Sequence, residues 1–201
     1  MKKVVLATGN AGKLAEMQHI LSPLGFQVHP QSEFFQEEAI EDGLSFIENA
    51  LIKARFASEK TGLPAIADDS GLEVPVLQGQ PGIYSARYAE GYKGQTASDA
   101  LNNEKLLETM QGKTEREACY YCAMVYVEHA QDPTPKIGLG QWCGRLLEAP
   151  QGTGGFGYDP LVWFDAFGCT AAELSKVQKN EVSHRAQALQ QLMAQLNGYQ
   201  K

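Results

Sequence analysis

Thr8-Gly9-Asn10-Ala11-Gly12-Lys13 follows the apolar run Val4-Val5-Leu6-Ala7 and leads into a helical pattern. Two glycines let the backbone turn tightly and bring its N–H groups near an anion, and a helix opening behind them points its positive end at the same place. The chemistry is that of a phosphate cradle. Lys13 falls in the first helical turn, where a cation opposes the helix dipole by about 0.3–1 kcal/mol, so a bound anion is the natural reason for it. A Walker P-loop would need glycine where Ala7 stands and Ser or Thr where Leu14 stands. With that hydroxyl missing, any magnesium must be held by carboxylates from elsewhere in the chain. Taken alone, the turn is equally compatible with an ordinary structural turn.

Carboxylates arrive at Asp68-Asp69-Ser70-Gly71, directly after the apolar Ala65-Ile66-Ala67. Adjacent strand residues point to opposite faces, so one aspartate enters a shared site and the other does not; residue type leaves the choice open. Such an acid can hold a divalent cation against phosphate oxygens or orient an attacking water. Glu41 offers a second ligand, within an acidic run (Glu37, Glu38, Asp42) that otherwise reads as solvated. Lys53 lies off the apolar stripe of its helix, where a lysine is ordinarily a surface one. His184 and Arg185 open the last helix, where positive charge is disfavoured unless an anion or an acceptor-rich base relieves it. Around Phe156 the glycine-rich segment allows either a core ring or an aromatic face approached by a flat ligand, with Asp159 and Lys179 as polar readers of its edge.

The elements that position these residues alternate in type. A strand and helix (Leu14, Met17, Leu21 and Leu24 on one face, Pro23 and Gly25 ending it) precede a second helix. That helix has a Ser45/Glu48 capping box, a stripe of Ile47, Ala50, Leu51, Ala54 and Ala57, and Gly62 as its stop. A strand then delivers Asp68 and Asp69 at its carboxyl end, where open α/β sheets bind ligands. A helix near Ser98–Met110, paired strands at 118–127 and 137–147, and a short helix capped by Thr170 and Glu173 follow. Ser183 starts the final helix, with Ala186, Leu189, Met193 and Leu196 inward. One α/β domain spanning 1–201 is expected.

A net charge of −7 argues against general nucleic-acid binding, which needs broad basic surfaces. No apolar run is long enough for a membrane span, and the N-terminal run is too short for a secretory signal, so a cytoplasmic protein is expected. Cys119, Cys122, Cys143 and Cys169 fit that setting; Cys119-x-x-Cys122 lies in a strand, where positions three apart face opposite sides and make a poor metal or redox pair.

Six blocks together resemble the inosine triphosphate pyrophosphatase family, and within it the bacterial dITP/XTP pyrophosphatases. They are Thr8-Gly9-Asn10 with Gly12-Lys13, Phe46-Ile47-Glu48-Asn49-Ala50 with Lys53-Ala54, Ala67 to Leu72, Pro81 to Tyr88, Gly154-Gly155-Phe156-Gly157-Tyr158-Asp159-Pro160, and Ser183-His184-Arg185. No position the family uses for chemistry departs. The resemblance implies an elongated mixed β-sheet with flanking helices, two lobes around a central cleft, a homodimer and Mg²⁺. It implies hydrolysis of deaminated purine nucleoside triphosphates to monophosphate and pyrophosphate. By the same resemblance Thr8, Gly9, Asn10, Ala11, Gly12, Lys13 and Lys53 hold the triphosphate, Glu41 and Asp69 serve the metal, and Asp69 accepts a proton from water. Ser70 contacts substrate, Phe156 stacks on the purine beside Gly157 and Tyr158, and Asp159, Lys179, His184 and Arg185 read or hold the base. Lys179 has only donors, so it suits the O6 acceptor and disfavours an adenine amino group. O6 is shared with guanine, so GTP must be refused by other contacts. The role of Arg87 stays open, pairing with a carboxylate being the simple expectation. A pyrophosphatase for modified pyrimidine nucleotides and a nucleotide sensor without turnover are the competing readings.

Overall fold

The N-terminal apolar run becomes strand β1 (Lys2–Leu6), paired in parallel with β2 (Phe26–Pro30) and with β3 (Ala65–Glu73) in the computed structural model. The structure describes residues 2–8, 17–18 and 21–197. Among them a seven-stranded mixed sheet has the order β2-β1-β3-β4-β5-β6-β7. Here β4 is Glu117–Val127, β5 Lys136–Leu146, β6 Val162–Phe164 and β7 Cys169–Thr170, with β5/β6 and β6/β7 antiparallel.

Helix α1 (Phe46–Thr61) starts as its composition requires. Ser45 Oγ accepts the Glu48 N–H, and the Glu48 carboxylate accepts from Ser45 Oγ and Leu44 N. Gly62 ends it at φ 68°, a left-handed turn that glycine takes without strain. Its buried face is narrower than the expected stripe: Ala50, Ala54 and Ala57 are wholly buried against Val5, Ala65 and Ala67, while Ile47 is exposed. Alanines let the helix lie close to the strands.

Ser98 caps α2 (Asp99–Thr109) through the Leu101 N–H. The expected cap at Thr170 and Glu173 is corrected: Thr170 lies in β7, where Glu173 accepts from its N–H and hydroxyl in a local turn. Helix α3 (Lys176–Val182) begins five residues later, at a Ser175/Gln178 capping box. Helix α4 (His184–Asn197) follows, Ser183 Oγ accepting from Ala186 N. Of the expected first helix, Met17 and Leu21 are buried, while Leu14 lies outside the described residues; Gly25 at φ 76° turns the chain into β2.

Two compact units emerge. Unit 1 (Met1–Asp69, Cys122–Leu139, Ala188–Lys201) packs Val4, Leu6, Ile66, Met124, Leu189 and Leu192 in one cluster and the alanine face of α1 in another. Unit 2 (Ser70–Tyr121, Gly140–Gln187) is built on Leu72, Leu106, Met110, Tyr120, Trp142, Leu161 and Phe164. Each fully buried large apolar side chain supplies roughly 1.5–3 kcal/mol against chain entropy.

Two expectations fail here. β3 does not end at its acids but continues to Glu73, so Asp68 and Asp69 lie in mid-strand. The cysteines are not all reduced: Cys119 and Cys143, neighbours across β4 and β5 with Cα atoms 4.0 Å apart, form a disulfide. Cys122 is buried in the other unit's core, as the alternation of strand faces requires.

Candidate active site

Along β3, Ala65 and Ala67 pack on α1, and a period of two puts Asp69 on that same face. Asp68 points the other way and is buried. Of the two aspartates, Asp69, the one the resemblance names, is on the face that α1 covers. From α1, Asn49 and Lys53 reach it, being one turn apart on the same helix face. Lys53 Nζ lies 2.9 Å from Asp69 Oδ1 and 3.1 Å from Glu41 Oε2. Asn49, wholly buried, donates to Asp69 Oδ2 at 3.4 Å and accepts from Gly43 N at 2.9 Å. One amide thus ties the segment carrying Glu41 to the strand carrying Asp69. Gly43 fits because a Cβ there would stand 2.6 Å from Glu48 Cβ and 2.7 Å from Asn49 Oδ1.

Burial pushes the Asp69 carboxyl above the ordinary aspartate range; the Lys53 charge offsets part of the rise and the Glu41 charge adds to it. Burial pulls the Lys53 ammonium down, but Asp69 and Glu41 outweigh it and leave it raised. The result is a basic carboxylate beside a permanent cation, a pairing suited to taking a proton from water. Two carboxylates sharing one ammonium are also a donor set of hard oxygens with negative charge to spare, which fits Mg²⁺.

Lys53→Met leaves these carboxylates facing each other without a counter-ion. The expected loss is about 2–3 kcal/mol at pH 7, discounted from the ~3–5 kcal/mol of a fully buried pair because Glu41 stays partly wet. The ion pair needs ionised carboxylates, and raised Asp69 protonates before an ordinary aspartate as pH falls. The penalty therefore shrinks as pH drops through the Asp69 pKa, which thermal melts of both proteins at pH 7 and pH 4 would read; an equal penalty at both would remove the ion pair as its cause.

In unit 2 the glycine-rich segment is tied down by its own backbone. Asn103 Nδ2 donates to Gly157 O at 2.9 Å, Gly157 N donates to Asp99 Oδ2 at 2.7 Å, and Tyr158, buried, donates its hydroxyl to Ser85 O at 2.8 Å. These bonds leave Phe156 standing out, 58% exposed, with Lys179 Nζ 4.6 Å and Arg185 Cζ 5.9 Å from its ring centre. An exposed aromatic ring with two cations over it is a place where a flat, acceptor-rich ring can be received between ring and donors. Asp159, only 3% exposed, accepts from Phe156 N at 2.8 Å and from Lys179 on Oδ2, and from the Tyr120 hydroxyl at 3.3 Å on Oδ1. The His184 ring stacks on Tyr120 at 5.0 Å and 12°.

Among the candidates, unit 1 brings Glu41, Lys53 and Asp69 together. Unit 2 brings Phe156, Asp159, Lys179 and Arg185 together, with Ser70 3.4 Å from Arg185 Nη2. Tyr158 neighbours Asp159 in the chain, but its hydroxyl is turned to Ser85 O. Thr8 is described and donates its N–H to Leu6 O, whereas Gly9, Asn10, Ala11, Gly12 and Lys13 lie outside the described residues. Arg87 lies over the Tyr84 ring at 5.1 Å, an aromatic partner where a carboxylate was expected. Lys53, read by residue type as a surface lysine, is a half-buried hub. Residue-by-residue reasoning gave no role to Asn49 or Tyr120; the i, i+4 spacing of Asn49 and Lys53 was the available signal for the first, and none existed for the second.

The sequence profile of the Ham1 family matches residues 4–195. A dITP/XTP pyrophosphatase of Vibrio parahaemolyticus is 54% identical over 98% of each chain, and one of Ralstonia nicotianae is 54% identical over 98% of this chain and 97% of its own. Among solved structures, a Ham1 protein from Coxiella burnetii has a TM-score of 0.93 at 44% identity, covering 98% of this chain and all of its own. The Staphylococcus aureus Ham1 protein has a TM-score of 0.90 at 38% identity, covering 98% and 99%. Fold, sequence and the ordered motif blocks agree, and the chain belongs to the Ham1 family.

Proposed function

We propose that this chain hydrolyses deaminated purine nucleoside triphosphates, such as dITP and XTP, to the monophosphate and pyrophosphate. The observation that supports the reading is a carboxylate, Asp69, raised by burial and held by Asn49 and by Lys53, whose ammonium also reaches Glu41. The activity named for relatives at 54% identity supports the choice of reaction.

In this reading Asp69 takes the proton of the attacking water and Lys53 offsets charge developing on the phosphate oxygens. Thr8 to Lys13 hold the triphosphate. Glu41 and Asp69 hold Mg²⁺, which when bound polarises phosphate oxygens. Phe156 receives the purine face, Lys179 donates to O6, and Ser70, His184 and Arg185 complete the hold on the base, with Gly157, Tyr158 and Asp159 shaping the segment. A cytoplasmic homodimer, as the family resemblance implies, completes the proposal; among the described residues no helix is long and apolar enough to cross a membrane.

The test follows monophosphate and pyrophosphate together from dITP, XTP, GTP, dATP, dUTP and dTTP, with Mg²⁺ and with chelator. Expected are pyrophosphate from dITP and XTP at kcat/KM at least about 10²-fold above dATP, and loss of activity on chelation. Orthophosphate would mean that a different bond is cut, equal rates on dUTP would remove the purine assignment, and tight binding without turnover would leave a sensor.

A further inference from the structure

Asp159 is placed where it cannot itself read much of a ligand. It is 3% exposed, and both carboxylate oxygens are taken: Oδ2 by Phe156 N and Lys179, Oδ1 by the Tyr120 hydroxyl. Gly155 makes room for it, since a Cβ at Gly155 would overlap Oδ2 and lie 2.8 Å from Asp159 Cγ. Tyr120, on β4, is held from behind by Trp142, stacked at 6.1 Å and 29°, and carries His184 on its ring at 5.0 Å. Lys179, which lies over the Phe156 ring and is held through Asp159, and the buried His184 therefore share one support.

We infer that Tyr120 is a positioning residue for base specificity: its hydroxyl aims the Asp159 carboxylate so that Lys179 is presented to a 6-oxo group, and its ring seats His184. This rests on the proposed purine reading. The donor is durable, because burial first, and then the Asp159 charge, push the Tyr120 phenol well above its ordinary value and keep it protonated at any working pH. An ammonium held on a fixed carboxylate rejects a 6-amino group, which brings a second donor to it. Without the Tyr120 hydroxyl on Oδ1 the carboxylate is free to turn, and the flexible lysine paired with Oδ2 turns with it and tolerates either base.

Tyr120→Phe removes the hydroxyl and keeps the ring. The ratio of kcat/KM for dITP to that for dATP is expected to fall about tenfold or more, through a raised KM for dITP with kcat within about threefold, as expected for a lost hydrogen bond to a charged group. Loss of folded protein would scale both substrates together and leave KM and the ratio untouched. Tyr120→Leu, which also removes the seat of His184, lowers the ratio further. Should the β4 variants not fold, Gly155→Ala displaces the Asp159 carboxylate without touching Tyr120 and is expected to lower the same ratio. An unchanged ratio in folded Tyr120→Phe or folded Gly155→Ala overturns the inference. An unsubstituted chain with no preference for dITP would instead overturn the purine reading on which it stands.

Discussion

Asp69→Asn turns over dITP about 10²–10⁴-fold more slowly than the unsubstituted chain, the span removed with a general base, while nucleotide affinity moves by less than about tenfold. The two effects separate because the substitution keeps shape while taking away the proton acceptor and, on the proposed reading, one carboxylate of the metal's donor set. Lys53 retains Glu41 at 3.1 Å, so the ammonium is not stranded, and the Asn49 bridge to Gly43 N does not involve Asp69. Rates from single turnovers, with Kd for a non-hydrolysable triphosphate measured separately, give both numbers. The pH profile adds a sign. Burial holds the Asp69 carboxyl above the usual range, so it is protonated, and useless as a base, at a higher pH than an ordinary aspartate. The acid limb of kcat/KM lies correspondingly high, and the residual activity of Asp69→Asn lacks it. Unchanged turnover would take Asp69 out of the chemistry.

Gly138→Ala costs about 3 kcal/mol, near the upper end of overpacking effects, and lowers Tm by about 6–12 °C in a chain of this length. Gly138 is buried where β5 meets α4. A Cβ there would overlap the Ala188 carbonyl oxygen and stand 2.7 Å from Leu192 N. Both are helix backbone, so no side chain can swing aside. Bonds on either side hold the contact: Leu139 N donates to Gln191 Oε1 at 3.0 Å and Gln195 Nε2 donates to Ile137 O at 2.7 Å. Scanning calorimetry decides it; a Tm within 1–2 °C of the parent, a shift of under about 1 kcal/mol, would show that the helix slides freely.

Local chemistry carried much of this structure into the sequence. Ser45 with Glu48, Gly62, Ser98 and Ser183 each act as caps or stops because capping needs only neighbours a few residues away. What failed was set at a distance. Ser70-Gly71 reads as the end of a strand, yet β3 continues to Glu73, and Gly71 leaves room for Gly82 O and the Ser85 side chain: a Cβ there would stand 2.6 Å from Gly82 O. Thr170 and Glu173 spell a cap as plausibly as Ser175 and Gln178, and pairing of β7 with β6 decided between them. The Cys119–Cys143 link depends on strand neighbourhood, not on their 24-residue separation. At the site, alternation said that one aspartate would serve and the motif resemblance named Asp69; the residues alone could not, because the choice depends on which face α1 covers. Motif resemblance identified Lys53 where residue type alone had it in solvent. Tyr120 was invisible both ways, since nothing along the chain connects it to Asp159, 39 residues on.

The alanine face of α1 has a consequence for how this enzyme can drift. Ala50, Ala54 and Ala57 set the stand-off between helix and strands, and the same helix carries Asn49 and Lys53 to Asp69. A bulkier side chain at Ala54, harmless by the standards of hydrophobicity, would lift the lysine off its carboxylate. On the proposed reading, sequence variation there is constrained by the reach of Lys53 to Asp69 as much as by cohesion.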